Sequence, residues 1–242
     1  MEIMKKELLG ICVAAAACTF NQAHADVIAS DDFSYADGSL TANPAWSDHS
    51  GTALQMQVVS GAAVVDMSGA QSEDASIGFI DQTTGLLTAS FDVVVNATAI
   101  GGGDYEYFAH FFTDGSFNFR SRVDVIDPVA GGDYTFGISS TGSTNEAALT
   151  SDFTFGETVA VVLGFDLDTG IGSLTVGGET IFGTSSSTGE TLNRFALRQS
   201  GSSSDETITI DNLVIDGIIP EPASLMLVGL GGLGLVGRRR KA

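Results

Sequence analysis

Phe117-Asn118-Phe119-Arg120-Ser121-Arg122-Val123-Asp124-Val125-Ile126 alternates apolar or small residues with polar ones. Side chains along a strand point to opposite faces in turn, so this stretch predicts a strand with Phe117, Phe119, Ser121, Val123 and Val125 on one face. Asn118, Arg120, Arg122 and Asp124 then take the other. Phe91, Val93 and Val95 alternate in the same way. Working outward, strand-like segments recur at Val27–Phe33, Leu54–Val59, Ala62–Met67, Leu86–Val95, Tyr105–Phe112, Tyr134–Ser139, Val159–Asp166, Ser173–Val176, Arg194–Arg198 and Thr207–Ile215, separated by Gly, Asp, Asn and Ser. No amphipathic pattern three helical turns long interrupts them. Together with 30 glycines, this predicts an all-β fold, a two-sheet antiparallel β-sandwich of the jelly-roll kind.

Charge narrows the function classes. The chain of 242 residues has a net charge of −20, and its cations are concentrated at the two ends. Between residues 26 and 219 only Arg120, Arg122, Arg194 and Arg198 oppose all but three of the 30 acidic residues. A surface of that sign repels phosphate backbones, which argues against nucleic acid as a partner. It suits a solvated coat, and its carboxylates could serve a hard cation such as Ca²⁺. Both cysteines, Cys12 and Cys18, lie near the N-terminus. If that segment is removed, no disulfide, cysteine zinc site or cysteine nucleophile remains.

The two ends read as addresses. Lys5 and Lys6 precede the apolar run Leu8–Phe20, and Ala23-His24-Ala25 places small residues where signal peptidase needs them. Residues 1–25 are therefore expected to be a signal peptide cut before Asp26. The competing reading is a lipoprotein cut at Cys18, although a lipobox usually has a larger aliphatic where Ala15 stands. At the other end, Pro220-Glu221-Pro222 precedes fifteen apolar or small residues, Ala223 to Gly237, and then Arg238, Arg239, Arg240 and Lys241. As a helix those fifteen residues span ~22 Å, less than the ~30 Å hydrocarbon core, so the predicted transmembrane helix is short and loosened by glycine. The terminal cations would hold its end in the cytoplasm and leave residues 26–219 outside. This order of motif, helix and arginine cluster resembles the PEP-CTERM sorting signal. The resemblance implies processing by an exosortase, a membrane-embedded cysteine protease, after a transient inner-membrane stage, and delivery to the cell surface or exopolysaccharide matrix. An ordinary C-terminal anchor is the competing reading and has the same topology.

The domain between, residues 26–217, also carries a resemblance. Asp31-Asp32-Phe33-Ser34-Tyr35-Ala36-Asp37-Gly38 opens it and Trp46-Ser47-Asp48-His49-Ser50-Gly51 follows. Later come Tyr107-Phe108-Ala109-His110-Phe111, Val161–Gly170 and the closing Ile208–Ile215. The series is similar to LamG-like, concanavalin A-type jelly rolls. In such folds the first and last strands are neighbours that a metal often ties together, so the resemblance implies a structural Ca²⁺ held by Asp31 or Asp32 and Asp211. The alternative is that Asp31 and Asp32 simply charge an edge strand against unwanted pairing. Residues 218–242 form the linker and sorting tail.

Signs of catalysis are sparse. His49 and His110 are the only histidines after the leader, and alternation puts His110 on one face with Glu106, Phe108 and Phe112. Glycosidases related to concanavalin carry acids at i, i+2 and i+4 of one strand, because two carboxyls must flank the scissile bond. No Glu-x-Asp-x-Glu or Glu-x-Asp-x-x-Glu occurs. No catalytic residue is therefore assigned. Asp166-Leu167-Asp168-Thr169-Gly170 lacks the downstream glutamate of a calcium loop and reads as a hairpin turn. Sugar binding would use exposed aromatics beside amides or acids, and Trp46, Tyr35 and Tyr134 are the candidates. The expectation is a non-enzymatic surface or matrix protein that contacts extracellular polysaccharide. Its rival is a secreted glycoside hydrolase on the same kind of sandwich.

Overall fold

Strand-forming alternation dominates the computed structural model, which describes residues 25–101, 107–140, 144–184, 188–202 and 204–219. The expected signal peptide up to His24 and the tail from Pro220 lie outside them. The strands are β1 Ala25–Asp31, β2 Gly38–Ser39, β3 Trp46–Ser50, β4 Gln57–Val59, β5 Ala62–Asp66, β6 Asp74–Gln82, β7 Leu86–Asn96 and β8 Tyr107–Phe112. They continue with β9 Arg120–Ile126, β10 Thr135–Ser139, β11 Ala147–Ala148, β12 Thr158–Asp166, β13 Ile171–Val176, β14 Glu179–Phe182, β15 Leu192–Arg198 and β16 Thr207–Ile218. The one helical element among the described residues is a 3-10 turn at Leu40–Ala42, and no described helix is long and apolar enough to cross a membrane.

Two antiparallel sheets face one another. The nine-stranded sheet runs β14-β13-β12-β7-β16-β5-β4-β2, and the seven-stranded sheet runs β11-β10-β9-β8-β15-β6-β3. The long strand β16 has β7 on one side and two partners in turn on the other. It pairs with β5 from Thr207 to Ile210 and with β1 from Leu213 to Ile218. The change of partner coincides with a bulge, where Asn212 adopts a left-handed φ of 54° and the register with β7 shifts. Between the sheets, Phe91 of β7 packs against Phe108 of β8 and Phe195 of β15, with ring centroids 6.4 and 5.8 Å apart. Leu87, Ala89, Val93 and Val95 line the same buried face of β7, as period-two patterning requires.

All eleven expected segments overlap strands. The strands β3, β6 and β14 and the short β2 and β11 fall outside those segments. Two predicted faces are corrected. Ser121 has a left-handed φ of 48°, and the Phe119 N–H donates to the Phe117 carbonyl (3.1 Å), so alternation loses its phase before β9 is established. Val123 and Val125 enter the core and Ser121 Oγ donates across the sandwich to the Gly164 carbonyl (2.7 Å), while Phe117 and Phe119 lie on the far side. In β8 the register with β9 shifts twice between Tyr107 and Phe111. Phe108 consequently faces Phe91 in the core, opposite His110, and does not share its face.

Candidate functional site

The four arginines of the domain fall on two strands of one sheet, Arg120 and Arg122 on β9 and Arg194 and Arg198 on β15. Phe195 and Leu197 point into the core, so Arg194 and Arg198 take the outer face of the seven-stranded sheet. Strands β8, β9 and β10 are buried along their whole length, outward side chains included. A stack of rings and cations occupies that face. Arg122 and Arg198 stand 4.6 and 4.4 Å from the Tyr107 ring centroid, within cation–π range. Tyr107 meets His110 edge-on at 5.3 Å, His110 lies 4.3 Å from Phe119 and 5.6 Å from Phe112, and His49 of β3 rests on Phe112 at 4.1 Å. The domain's two histidines, 61 positions apart, are thus joined through two phenylalanines.

His110 is fully buried and neither of its ring nitrogens has a hydrogen-bond partner. Burial first, then repulsion from Arg122, from His49 whenever that ring is protonated, and from Arg198, hold its pKa well below the ordinary histidine value and favour the neutral imidazole; burial lowers the pKa of His49 as well. Asp74 of β6 is nearly buried, accepts from Ser50 Oγ (2.7 Å) and is pushed up to about 6, chiefly by desolvation. Arg120 is held at the edge of the face by a bidentate pair with Glu190.

The stack reaches solvent at one rim. Phe117 is 76% exposed, and its ring centroid is 5.8 Å from that of half-buried His49. Near enough to His49 to act on its charge, Arg194 donates to Asp114 Oδ2 and Ser47 Oγ, both at 3.1 Å. The Asp114 N–H donates to Asn193 Oδ1 (2.8 Å), whose amide in turn donates to Asp81 (2.9 Å). An exposed ring beside fixed amides and acids is the chemistry that stacks on a pyranose face and hydrogen-bonds its hydroxyls. Alternation in the sequence puts Phe117 on one face with Val123 and Val125, whereas the structure puts it on the far side. The signal that could have found it is its place in Thr113-Asp-Gly-Ser-Phe-Asn118, a turn-rich run where a large apolar residue has no neighbours to pack on.

The aromatics singled out from sequence are placed differently. Trp46 is buried and its indole N–H donates to Asp31 Oδ2 (2.6 Å). Tyr134 is buried too, stacked on Phe155 at 5.7 Å and packed against Phe136 and Phe153. Tyr35 is half-buried and donates to Asp31 (3.3 Å). A ring inside the core cannot stack on a sugar, so Trp46 and Tyr134 serve packing.

The expected acids are close to one another but differently engaged. Asp31 lies opposite Leu213, two positions past Asp211, and Asp31, Asp32 and Asn212 line one surface depression. Asp31 already accepts from Trp46, Tyr35 and the Phe33 N–H, Asp32 accepts from Ser34, and Asp211 accepts from the Asn212 N–H (2.7 Å) at the bulge. Among the described residues no group of three or more His, Asp or Glu is gathered to hold a metal. Asp166 accepts from the N–H groups of Asp168 and Thr169, so this stretch is a turn as expected. Pro220, Glu221, Pro222 and Arg238 to Arg240 lie outside the described residues.

Comparison with known proteins fixes the class. Residues 219–241 match the PEP-CTERM protein-sorting motif. Among solved structures, a sialidase resembles 79% of this chain at TM-score 0.56 and 16% identity, although the chain spans only 18% of that protein. The lectin UEA-II, solved with galactose, covers 81% of this chain and 100% of its own length at TM-score 0.50 and 14% identity. At such identities the likeness is one of fold. No curated protein matches the sequence. The chain thus joins a β-sandwich with the fold of these lectins to a match to the PEP-CTERM protein-sorting motif, a signal that suits an exported protein.

Proposed function

We propose that this is a non-enzymatic surface or exopolysaccharide-matrix protein, held briefly in the inner membrane by its tail, released by an exosortase-type cut near Pro220-Glu221-Pro222, and bound to polysaccharide through the Phe117 rim. The observation that carries the binding reading is the exposed Phe117 ring against His49, which in turn lies near the Arg194–Asp114 pair. For sorting, the match over residues 219–241 supports the reading. A glycan array and retention on host exopolysaccharide test the first, using the secreted protein with and without Ca²⁺. Phe117→Ala should lose roughly fivefold or more in retention, since a ring contact contributes ~1 kcal/mol. Unchanged retention would remove the rim from the account, and dependence on Ca²⁺ would reinstate a metal role for the acids around Asp31.

Sorting is tested by replacing Pro220, Glu221 and Pro222 together with alanine in a host that has the sorting protease. Wild type should lose its tail and reach the surface, and the triple variant should remain full-length in the membrane. Equal behaviour would leave a plain anchor.

One observation favours the hydrolase alternative. Asp74, pushed up to about 6 and near Asp48, has the raised pKa of a general acid. Release of reducing ends from polysaccharide that is lost in Asp74→Asn would establish that reading, and no release would leave Asp74 as a buried partner of Ser50.

A further inference from the structure

The sorting tail leaves the sandwich through a built exit. β16 ends at Ile218, opposite Ala25 of β1. Gln82, the last residue of β6, belongs to the other sheet and is 2% exposed. Its Oε1 accepts from the Ile218 N–H (2.7 Å), and its Nε2 donates to the Ile218 carbonyl (3.1 Å) and to the Ile80 carbonyl (3.2 Å). A side-chain amide thus grips both backbone polar groups of the last strand residue and ties the two sheets together at this pole. Glycines make room for the grip. A Cβ on Gly217 would meet Gln82 Oε1 and Ile28 Cδ1, each at 2.7 Å, and one on Gly85 would meet Ile218 Cδ1 at 2.5 Å.

Only Ile219 separates this clamp from Pro220. At ~3.3–3.6 Å per extended residue, the start of the motif stays within about 7 Å of Ile218. A protease takes its substrate as an extended segment of several residues whose backbone groups are free to pair. Here the residues just before the motif are already paired: Gly217 lies opposite Asp26 of β1, the first residue left once Ala25 goes with the signal peptide, and Ile218 is held by Gln82.

We propose that the Gln82 clamp gates removal of the tail: the protease acts on the state in which Gly217 and Ile218 have peeled away from Gln82 and β1. This rests on the sorting function proposed above. The folded domain then sets the rate at which the protein leaves the membrane, and only the last two strand residues have to open. Local opening of a strand end needs far less free energy than global unfolding.

The test follows loss of the tail from the full chain by pulse-chase in a host with the sorting protease. Gln82→Ala removes both bonds to Ile218 and should speed tail loss roughly tenfold, the factor expected when hydrogen bonds of this kind are lost. A six-residue Gly-Ser insertion between Ile219 and Pro220 should speed it comparably, and adding Gln82→Ala to the insertion should give no further gain. Gln199→Ala is the control: Gln199 is as buried as Gln82 and bonds Gln71 (2.6 Å) away from the exit, so its loss should leave the rate unchanged. If Gln82→Ala does not fold, the insertion alone decides. The gate is overturned if the insertion leaves the rate unchanged, or if Gln199→Ala speeds tail loss as much as Gln82→Ala, while the Pro220/Glu221/Pro222 triple alanine still blocks cutting. A triple alanine that is still cut overturns the sorting function, and the gate with it.

Discussion

Glu73→Ala is expected to lower the melting temperature of the secreted protein by about 10 °C or more. Glu73 is fully buried just before β6, and its carboxylate accepts from the Met56 N–H (2.6 Å), the Leu54 N–H (3.1 Å) and Thr41 Oγ1 (2.6 Å). Those donors belong to two separate segments, the 3-10 turn and the loop between β3 and β4. The loop needs the support, because Leu54 adopts a left-handed φ of 69°. Alanine would strand buried donors and leave a void. Each stranded donor costs ~1–3 kcal/mol, so a total of ~3–5 kcal/mol is expected. For a domain of this size 1 kcal/mol moves the midpoint by ~2–4 °C. Glu73→Gln retains one acceptor oxygen and should lose roughly half as much. A shift within about 3 °C for the alanine variant would show that the loop holds itself. Since the loop follows directly on β3, which carries His49, the alanine variant should also weaken retention on polysaccharide.

The same region shows which parts of the fold the sequence disclosed. Ala75, Ile77 and Phe79 alternate inward along β6 as plainly as Phe91, Val93 and Val95 do along β7. Their strand was overlooked because Glu73, Asp74 and Gly78, all poor strand formers, interrupt the pattern. What overrides that propensity is tertiary, since Glu73 reaches residues 17 and 32 positions away. Trp46 misled for a related reason. After Pro44 in a polar stretch it resembles an exposed ring, but Asp31, 15 residues earlier, takes its indole N–H and draws it inward. Phe117 parts from Val123 and Val125 because one left-handed residue, Ser121, breaks the period-two phase that would put all three on one face. The sorting motif was legible for a simpler reason: it is a linear address and needs no folded partner to be recognised.

Acid should destabilise the protein through His110, and the effect is best seen once Asp74 has been removed. An unfolded histidine takes a proton near pH 6.5, whereas His110 in the fold is held neutral by burial and by the surrounding cations. The groups that face it are Tyr107 on its own strand, Arg122 on β9, Arg198 on β15 and His49 on β3, together with the rings of Phe112 and Phe119. Its folded pKa lies below its unfolded one, so its contribution is fully present above pH 6.5 and is lost as pH falls from there. The limiting slope is ~1.4 kcal/mol per pH unit. Asp74 acts in the opposite sense. Its folded pKa is raised from 3.8 to about 6, so the fold takes up a proton before the unfolded chain does and gains stability as pH falls through that window. Wild type should therefore lose stability between pH 6.5 and about 6 and decline more gently below that, where Asp74 offsets His110 and His49 adds a smaller loss of the same sign as His110. Asp74→Asn should expose a continued decline down to pH 5, and adding His110→Phe should make it shallower by replacing an unpartnered imidazole with a ring that needs no partner, the remainder coming from His49, whose pKa burial also lowers. Chemical denaturation of the single and double variants at half-unit pH steps measures this directly. Identical profiles for Asp74→Asn with and without His110→Phe would mean that the imidazole is protonated in the fold and that the stack accommodates a cation. Because Phe112 and Phe119 bridge His110 to His49, and His49 contacts Phe117, polysaccharide retention should weaken over the same pH interval in the Asp74→Asn protein and weaken less in the double variant, where His49 alone of the two histidines remains.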